Sequence, residues 1–72
     1  MKFIKFTQNG LIHVYNFKML KKFIIRQGDV KLYFENDEHV FALINWPPIE
    51  IKIIFEDFIT REASKILDLD AI

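Results

Sequence analysis

The sequence predicts an α+β fold, in which a small antiparallel sheet of four or five strands, built from β-hairpins, precedes one C-terminal amphipathic helix. Short runs rich in β-branched and aromatic residues alternate with turn residues over about residues 2–46, which is typical of hairpins. The hydrophobic period then changes after two consecutive prolines. A length of 72 residues and an apolar fraction of 51% fit a single folded domain spanning residues 1–72.

The first hairpin is predicted from strands at residues 2–6 and 11–17, which flank Asn9-Gly10. Asn and Gly supply the positive φ angles that a tight two-residue turn needs. A third strand is predicted to open with a turn near Lys18 and to run to Arg26. The N-terminal third of the chain is therefore expected to be all strand and turn.

Two further strands are predicted at residues 30–35 and 39–46, on either side of a turn at residues 36–38. Residues 30–35 alternate between apolar and polar side chains, as a half-buried strand does. The strand at 39–46 has apolar side chains on both faces, with Val40 on one face and Phe41 on the other.

Pro47-Pro48 ends the strand region, because proline cannot donate to a β-ladder and fits the first turn of a helix. Apolar residues then recur at the i, i+3, i+4, i+7 spacing, which predicts a helix over about residues 48–68. Residues 49–55 also alternate with a period of two, and their isoleucines lower helix propensity. A further strand followed by a shorter helix is therefore the open alternative.

The predicted fold leaves a surplus of apolar side chains, because a sheet covered by one helix buries only one face. A domain of this size hides only about 60% of its unfolded surface. We therefore predict contact with a second copy or another protein, unless a tightly curled sheet or small barrel hides both faces. Val30 and Val40 are predicted to share one face of the sheet, with Tyr33, Phe41 and Leu43 on the other. The predicted interface residues are Tyr33, Phe41, Leu43, Ile49, Ile53 and Leu67.

Charge is distributed unevenly along a chain with zero net charge. Residues 1–31 carry seven basic side chains and one acidic, whereas residues 32–72 carry nine acidic and three basic. The alternative function is therefore a nucleic-acid-binding regulatory module with a basic, partly aromatic patch. That patch would comprise Tyr15, Lys18, Lys21, Lys22 and Arg26. Zero net charge favours mutual compensation of the two halves instead.

The sequence predicts no enzyme, metal or cofactor site. Cysteine is absent, and the only serine, Ser64, is remote in sequence from His13 and His39. His39 follows Asp37 and Glu38, but no third ligand stands at a metal-binding spacing. Isolated turn glycines do not form a phosphate-binding loop.

The longest stretches without Asp, Glu, Lys or Arg are residues 6–17 and 39–49, of twelve and eleven residues, against about 20 apolar residues for a membrane span. Lys5, Gln8 and Asn9 interrupt the apolar run that a secretory signal would need near the N-terminus. We therefore expect a cytoplasmic protein without membrane contact.

The order of these features resembles a known family. The features are a hairpin at Asn9-Gly10, Asn16 closing the second strand, an apolar run over 17–25, and turns at Gly28-Asp29 and Asn36-Asp37 before a helix. This order is similar to that of the small flagellar swarming-motility protein family, and in outline it also resembles the LytTR DNA-binding domain. Only Asn9-Gly10 and Asn16 coincide as residues, so no functional residue is carried over.

The first resemblance implies a non-enzymatic accessory protein, and the second implies a sequence reader that uses basic residues. Together with the surplus of apolar side chains, these observations lead us to expect a small bacterial or phage accessory protein. It is expected to act through protein–protein contacts and to self-associate.

Overall fold

The computed structural model describes residues 1–72 and confirms the α+β class, but its strands form two sheets and not one. Short 3-10 turns at Phe17–Met19 and Leu69–Ala71 follow the second and the last strand. The elements are β1 (Phe3–Gln8), β2 (Leu11–Asn16), β3 (Leu20–Arg26), β4 (Asp29–Phe34), β5 (Glu38–Ala42), α1 (Pro48–Thr60) and β6 (Ile66–Asp68).

Each sheet has three strands. The first sheet has the order β2-β1-β6, with β2 antiparallel and β6 parallel to β1. The second sheet has the order β3-β4-β5 and is entirely antiparallel. The β1–β2 turn confirms the predicted hairpin, because Asn9 and Gly10 both have positive φ, at 52° and 76°. Gly28, with φ of 90°, makes the turn between β3 and β4.

The core lies between the inner faces of the two sheets and α1. Phe6 of β1 is fully buried, and its ring stacks on Tyr15 and Phe34 at centroid distances of 6.2 and 6.5 Å. The helix joins the same core, since Phe55 packs on Phe23 of β3 with the ring centroids 4.5 Å apart. The buried residues are Ile4, Phe6, Val30, Leu32, Phe34, Leu43, Ile51, Phe55, Phe58, Leu67 and Leu69.

The helix begins at Pro48, as predicted, so residues 49–55 are helical and not a strand. It ends at Thr60, eight residues before the predicted end. The Lys2 ammonium donates to the carbonyls of Phe58 and Arg61 and so satisfies acceptors at the helix C-terminus. No helix of the structure is both long and apolar enough to cross a membrane.

The last residues form β6 instead of helix because their apolar side chains recur at every second position. Leu67 and Leu69 are buried, whereas Ile66, the first residue of β6, is exposed. Leu67 pairs with Ile4 in the parallel β1–β6 ladder. Burial against β1 at a period of two therefore replaces the fourth and fifth predicted helical turns.

The register between β4 and β5 also differs from the prediction. Val30 pairs with Phe41, and Lys31 pairs with Val40. Residues directly opposite each other in a ladder share a face, so Phe41 lies on the inner side with Val30. Val30 and Val40 were predicted to share a face but lie on opposite faces, because a register shift of one residue exchanges the two faces of a strand. β5 ends at Ala42, and the predicted strand residues 43–46 form a turn.

We predict that Phe6→Ala lowers the free energy of unfolding by about 3–5 kcal/mol, because it removes a ring that contacts both sheets. Urea denaturation followed by circular dichroism measures this change. Ile53→Ala is the control, since Ile53 is 57% exposed on α1, and its change should stay within about 0.5 kcal/mol. Equal losses in the two variants would contradict the central position of Phe6.

Candidate functional site

The structure divides the six predicted interface residues among three environments. Leu43 and Leu67 are buried in the core, so their assignment to an interface was wrong. Phe41 is half-buried and packs against the core, because of the register described above. Ile49 and Ile53 are exposed on α1. The predicted residues therefore do not form one surface.

Tyr33, the sixth of these residues, lies half-buried on the outer face of the second sheet. The Lys22 and Lys31 ammonium groups lie 4.6 and 5.0 Å from its ring centroid. Two cations thus cover the ring, which is a stabilising cation–π arrangement. This residue is accordingly covered by its own chain.

The predicted basic patch is likewise not assembled as expected. Tyr15 points into the space between the sheets, where its ring stacks on Phe34 with the centroids 3.9 Å apart. Its hydroxyl donates to Asp37 at 3.1 Å. Tyr15 is therefore not a free stacking platform for a nucleic-acid base.

Two of the four cations of that patch have acidic partners. Arg26 donates two hydrogen bonds to Asp29 at 2.7 and 3.0 Å. Lys21 lies 3.6 Å from Glu35, at the irregularity between Leu20 and Lys22 in the β3–β4 ladder. Lys22 covers Tyr33, and Lys18, which is exposed, precedes β3 in the 3-10 turn. These contacts neutralise much of the basic charge.

A cluster of polar side chains, formed by Gln8, Tyr15, Asp37 and His39, connects the two sheets. The amide nitrogen of Gln8 donates to the Val40 carbonyl, so its amide oxygen is the acceptor that faces His39 Nδ1 at 2.9 Å. His39 Nδ1 therefore carries the proton. His39 Nε2 then faces the Tyr15 hydroxyl at 3.1 Å. The Tyr15 hydroxyl has one proton, for which the Asp37 carboxylate and the unprotonated His39 Nε2 are alternative acceptors.

Burial controls the protonation of this cluster. Loss of hydration lowers the pKa of His39, and the nearby charge of His13 lowers it further, against the opposing effect of Asp37. Burial, followed by the hydrogen bond to Asp37, raises the pKa of Tyr15. Tyr15 thus stays protonated at neutral pH and acts as a donor. The cluster holds the sheets together, and the sequence did not reveal it, because no motif links Gln8, Tyr15 and His39.

The edge strand β2 of the first sheet exposes several large apolar side chains to solvent. Leu11, Ile12 and Val14 of β2 are 64%, 66% and 59% exposed. Ile12 and Val14 lie on the outer face, opposite Thr7 and Lys5 of β1. β2 contains no charged residue, so neutral side chains follow one another along its whole length.

The backbone of β2 is open on one side. Gln8 and Leu11 flank the two-residue turn and form a hydrogen-bonded pair, and such pairs alternate along an antiparallel ladder. The N–H and C=O groups of Ile12 and Val14 therefore point away from β1. No backbone bond outside the ladders involves either residue. We call these groups, with the side chains of Leu11, Ile12 and Val14, the β2 edge.

The charged side chains on the outer face beside the β2 edge form one ion-paired cluster. Lys5, which is opposite Val14, contacts Asp70 at 2.8 Å and Asp68 at 3.4 Å. The hydrogen bond with Asp70 raises the pKa of Lys5, and the same bond lowers the pKa of Asp70. Asp70 also accepts from the Thr7 amide and hydroxyl. One cation and two carboxylates leave one net negative charge in this cluster, and each carboxylate contacts Lys5.

The sequence contains one indication of the β2 edge, because residues 11–17 are a predicted strand without a charged residue. Only the topology shows that β2 is at the end of a sheet. Comparisons with protein-family models, with curated proteins and with solved structures find no match. Neither family resemblance gains support from them.

We predict that the protein loses stability as the pH falls through about 6.5. The pKa of His39 is lower in the folded chain than its usual 6.5, so the unfolded chain binds more protons in this range and is favoured by acid. Urea midpoints at about pH 7.5 and about pH 5 measure the loss, which should be smaller in His39→Gln. An NMR titration should give a midpoint below 6.5 for His39, and an unchanged pH dependence in the variant would contradict the assignment.

Proposed function

We propose that this protein is a small non-enzymatic accessory module that acts through protein–protein contacts and self-associates. The observation that carries the proposal is the β2 edge, where three large apolar side chains and unpaired backbone groups are exposed together. An exposed, uncharged edge strand is a template for pairing with another chain. An isolated apolar residue on a surface would carry no such implication.

Nucleic-acid binding receives less support from the geometry. Its affinity rests on cations that neutralise phosphates. Here Arg26 and Lys21 already have acidic partners, and the Tyr15 ring lies between the sheets. The β2 edge has no Lys or Arg side chain that could neutralise a phosphate.

A catalytic role for the polar cluster also receives less support than a structural one. The side chains of Gln8, Tyr15 and His39 are hydrogen-bonded to one another or to Asp37 and Val40, and these bonds connect the two sheets. Tyr15, with its raised pKa, is a poor nucleophile at neutral pH.

We predict that sedimentation equilibrium gives a mass above 8.7 kDa that rises with protein concentration. Because apolar contacts and backbone hydrogen bonds drive the association, raising the salt concentration should not dissociate it. A constant mass of 8.7 kDa up to high micromolar concentration would contradict self-association. Dissociation by salt alone would indicate a charge-driven contact instead.

A further inference from the structure

We infer that the partner at the β2 edge is a second copy of this chain, bound by antiparallel pairing of β2 with β2 about a two-fold axis. The inference rests on the proposed function and names its partner. Pairing of this kind would join the two first sheets into one continuous sheet of six strands. The reasons lie in the edges of the two sheets, in the backbone of β2 and in its side-chain order.

Two of the other three sheet edges are protected by their own chain. β6 has only three residues and is followed at once by a 3-10 turn. β5 is protected by the Gln8 amide, which donates a hydrogen bond to the Val40 carbonyl, and by the charge of Glu38. Short strands, charges and covered backbone groups are the usual means by which proteins prevent edge pairing.

The remaining edge, that of β3, carries both a charge and a distortion. Its ladder with β4 is irregular between Leu20 and Lys22, and its side chains include Lys21 and Arg26. β2 differs from all three, because it is six residues long, pairs with β1 without a register shift and contains neither a charge nor a proline. Only this edge is free to pair.

The side chains of β2 suit antiparallel self-pairing centred on Val14. In this register Val14 lies opposite Val14 of the second copy, and Ile12 lies opposite Asn16. The outward groups of these three residues would exchange hydrogen bonds in closely spaced pairs. On the inner side, His13 lies opposite Tyr15. No charged side chain therefore faces another, so a second copy encounters no like-charge repulsion.

Val14→Pro tests the inference directly. The Val14 N–H points away from β1, so proline removes no bond of the β1–β2 ladder but removes two bonds from the two-fold pairing. The dissociation constant should rise about tenfold or more. Val40→Pro is the matched control, because Val40 is also central in an edge strand, and its N–H points away from β4. This variant should self-associate like the unmodified protein.

The outcomes of this experiment separate the two proposals. Self-association that is equally strong in Val14→Pro and in the unmodified protein would overturn β2 pairing and leave the proposed function standing. A monomeric unmodified protein would overturn both. Circular dichroism of each variant shows whether the fold is retained.

Disulfide cross-linking supplies a test that does not depend on the stability of a proline variant. The chain contains no cysteine, so Val14→Cys introduces a single thiol. Paired residues at the two-fold axis have Cα atoms about 5.5 Å apart, within disulfide reach. Ile53→Cys is the control, since Ile53 and Val14 are 57% and 59% exposed. In a glutathione redox buffer, Val14→Cys should form a covalent dimer at least about tenfold faster, and equal rates would overturn the inference.

Discussion

The structure depends on one constraint, which is that two sheets of only three strands must bury their inner faces against each other. Phe6 meets this constraint at the centre, in contact with Tyr15 of its own sheet and Phe34 of the other. A domain this small has no second hydrophobic core to compensate for a gap in this one. The polar groups that border the core must therefore find partners across the same interface. The bonds that His39 makes to Gln8 and Tyr15 follow from this requirement.

Closure of the core in this way fixes what the outer faces present. The outer face of the second sheet combines cations with acidic and aromatic partners, as in the contacts of Arg26 with Asp29 and of Lys22 with Tyr33. The outer face of the first sheet has its one cation, Lys5, engaged by two carboxylates. The basic charge of the N-terminal half is thus largely compensated, and the apolar β2 edge becomes the most distinctive surface of the molecule.

Local chemistry made much of the fold predictable. Asn9-Gly10 specifies its hairpin and Pro48 begins the helix, and neither effect depends on how the rest of the chain packs. Non-local pairing was not predictable from one sequence. The three residues of β6 acquire strand geometry only by pairing with β1, more than 60 residues away along the chain. The β4–β5 register likewise placed Phe41 on the inner face, so Phe41 is not part of an exposed interface as predicted. Assigning a residue to a surface requires the register, which depends on the fold as a whole.

The strand that carries the open edge is also held against the second sheet by side-chain hydrogen bonds. Tyr15 bonds to Asp37 and His39, so β2 is held against the second sheet while its backbone remains open on the other side. A rigid, uncharged edge is suited to pairing because little conformational freedom is lost on association. Each chain has only one such edge, and two-fold pairing uses it in both copies. The proposed assembly would therefore close at two chains and leave the three-residue β6 strands at its ends, which would prevent further growth.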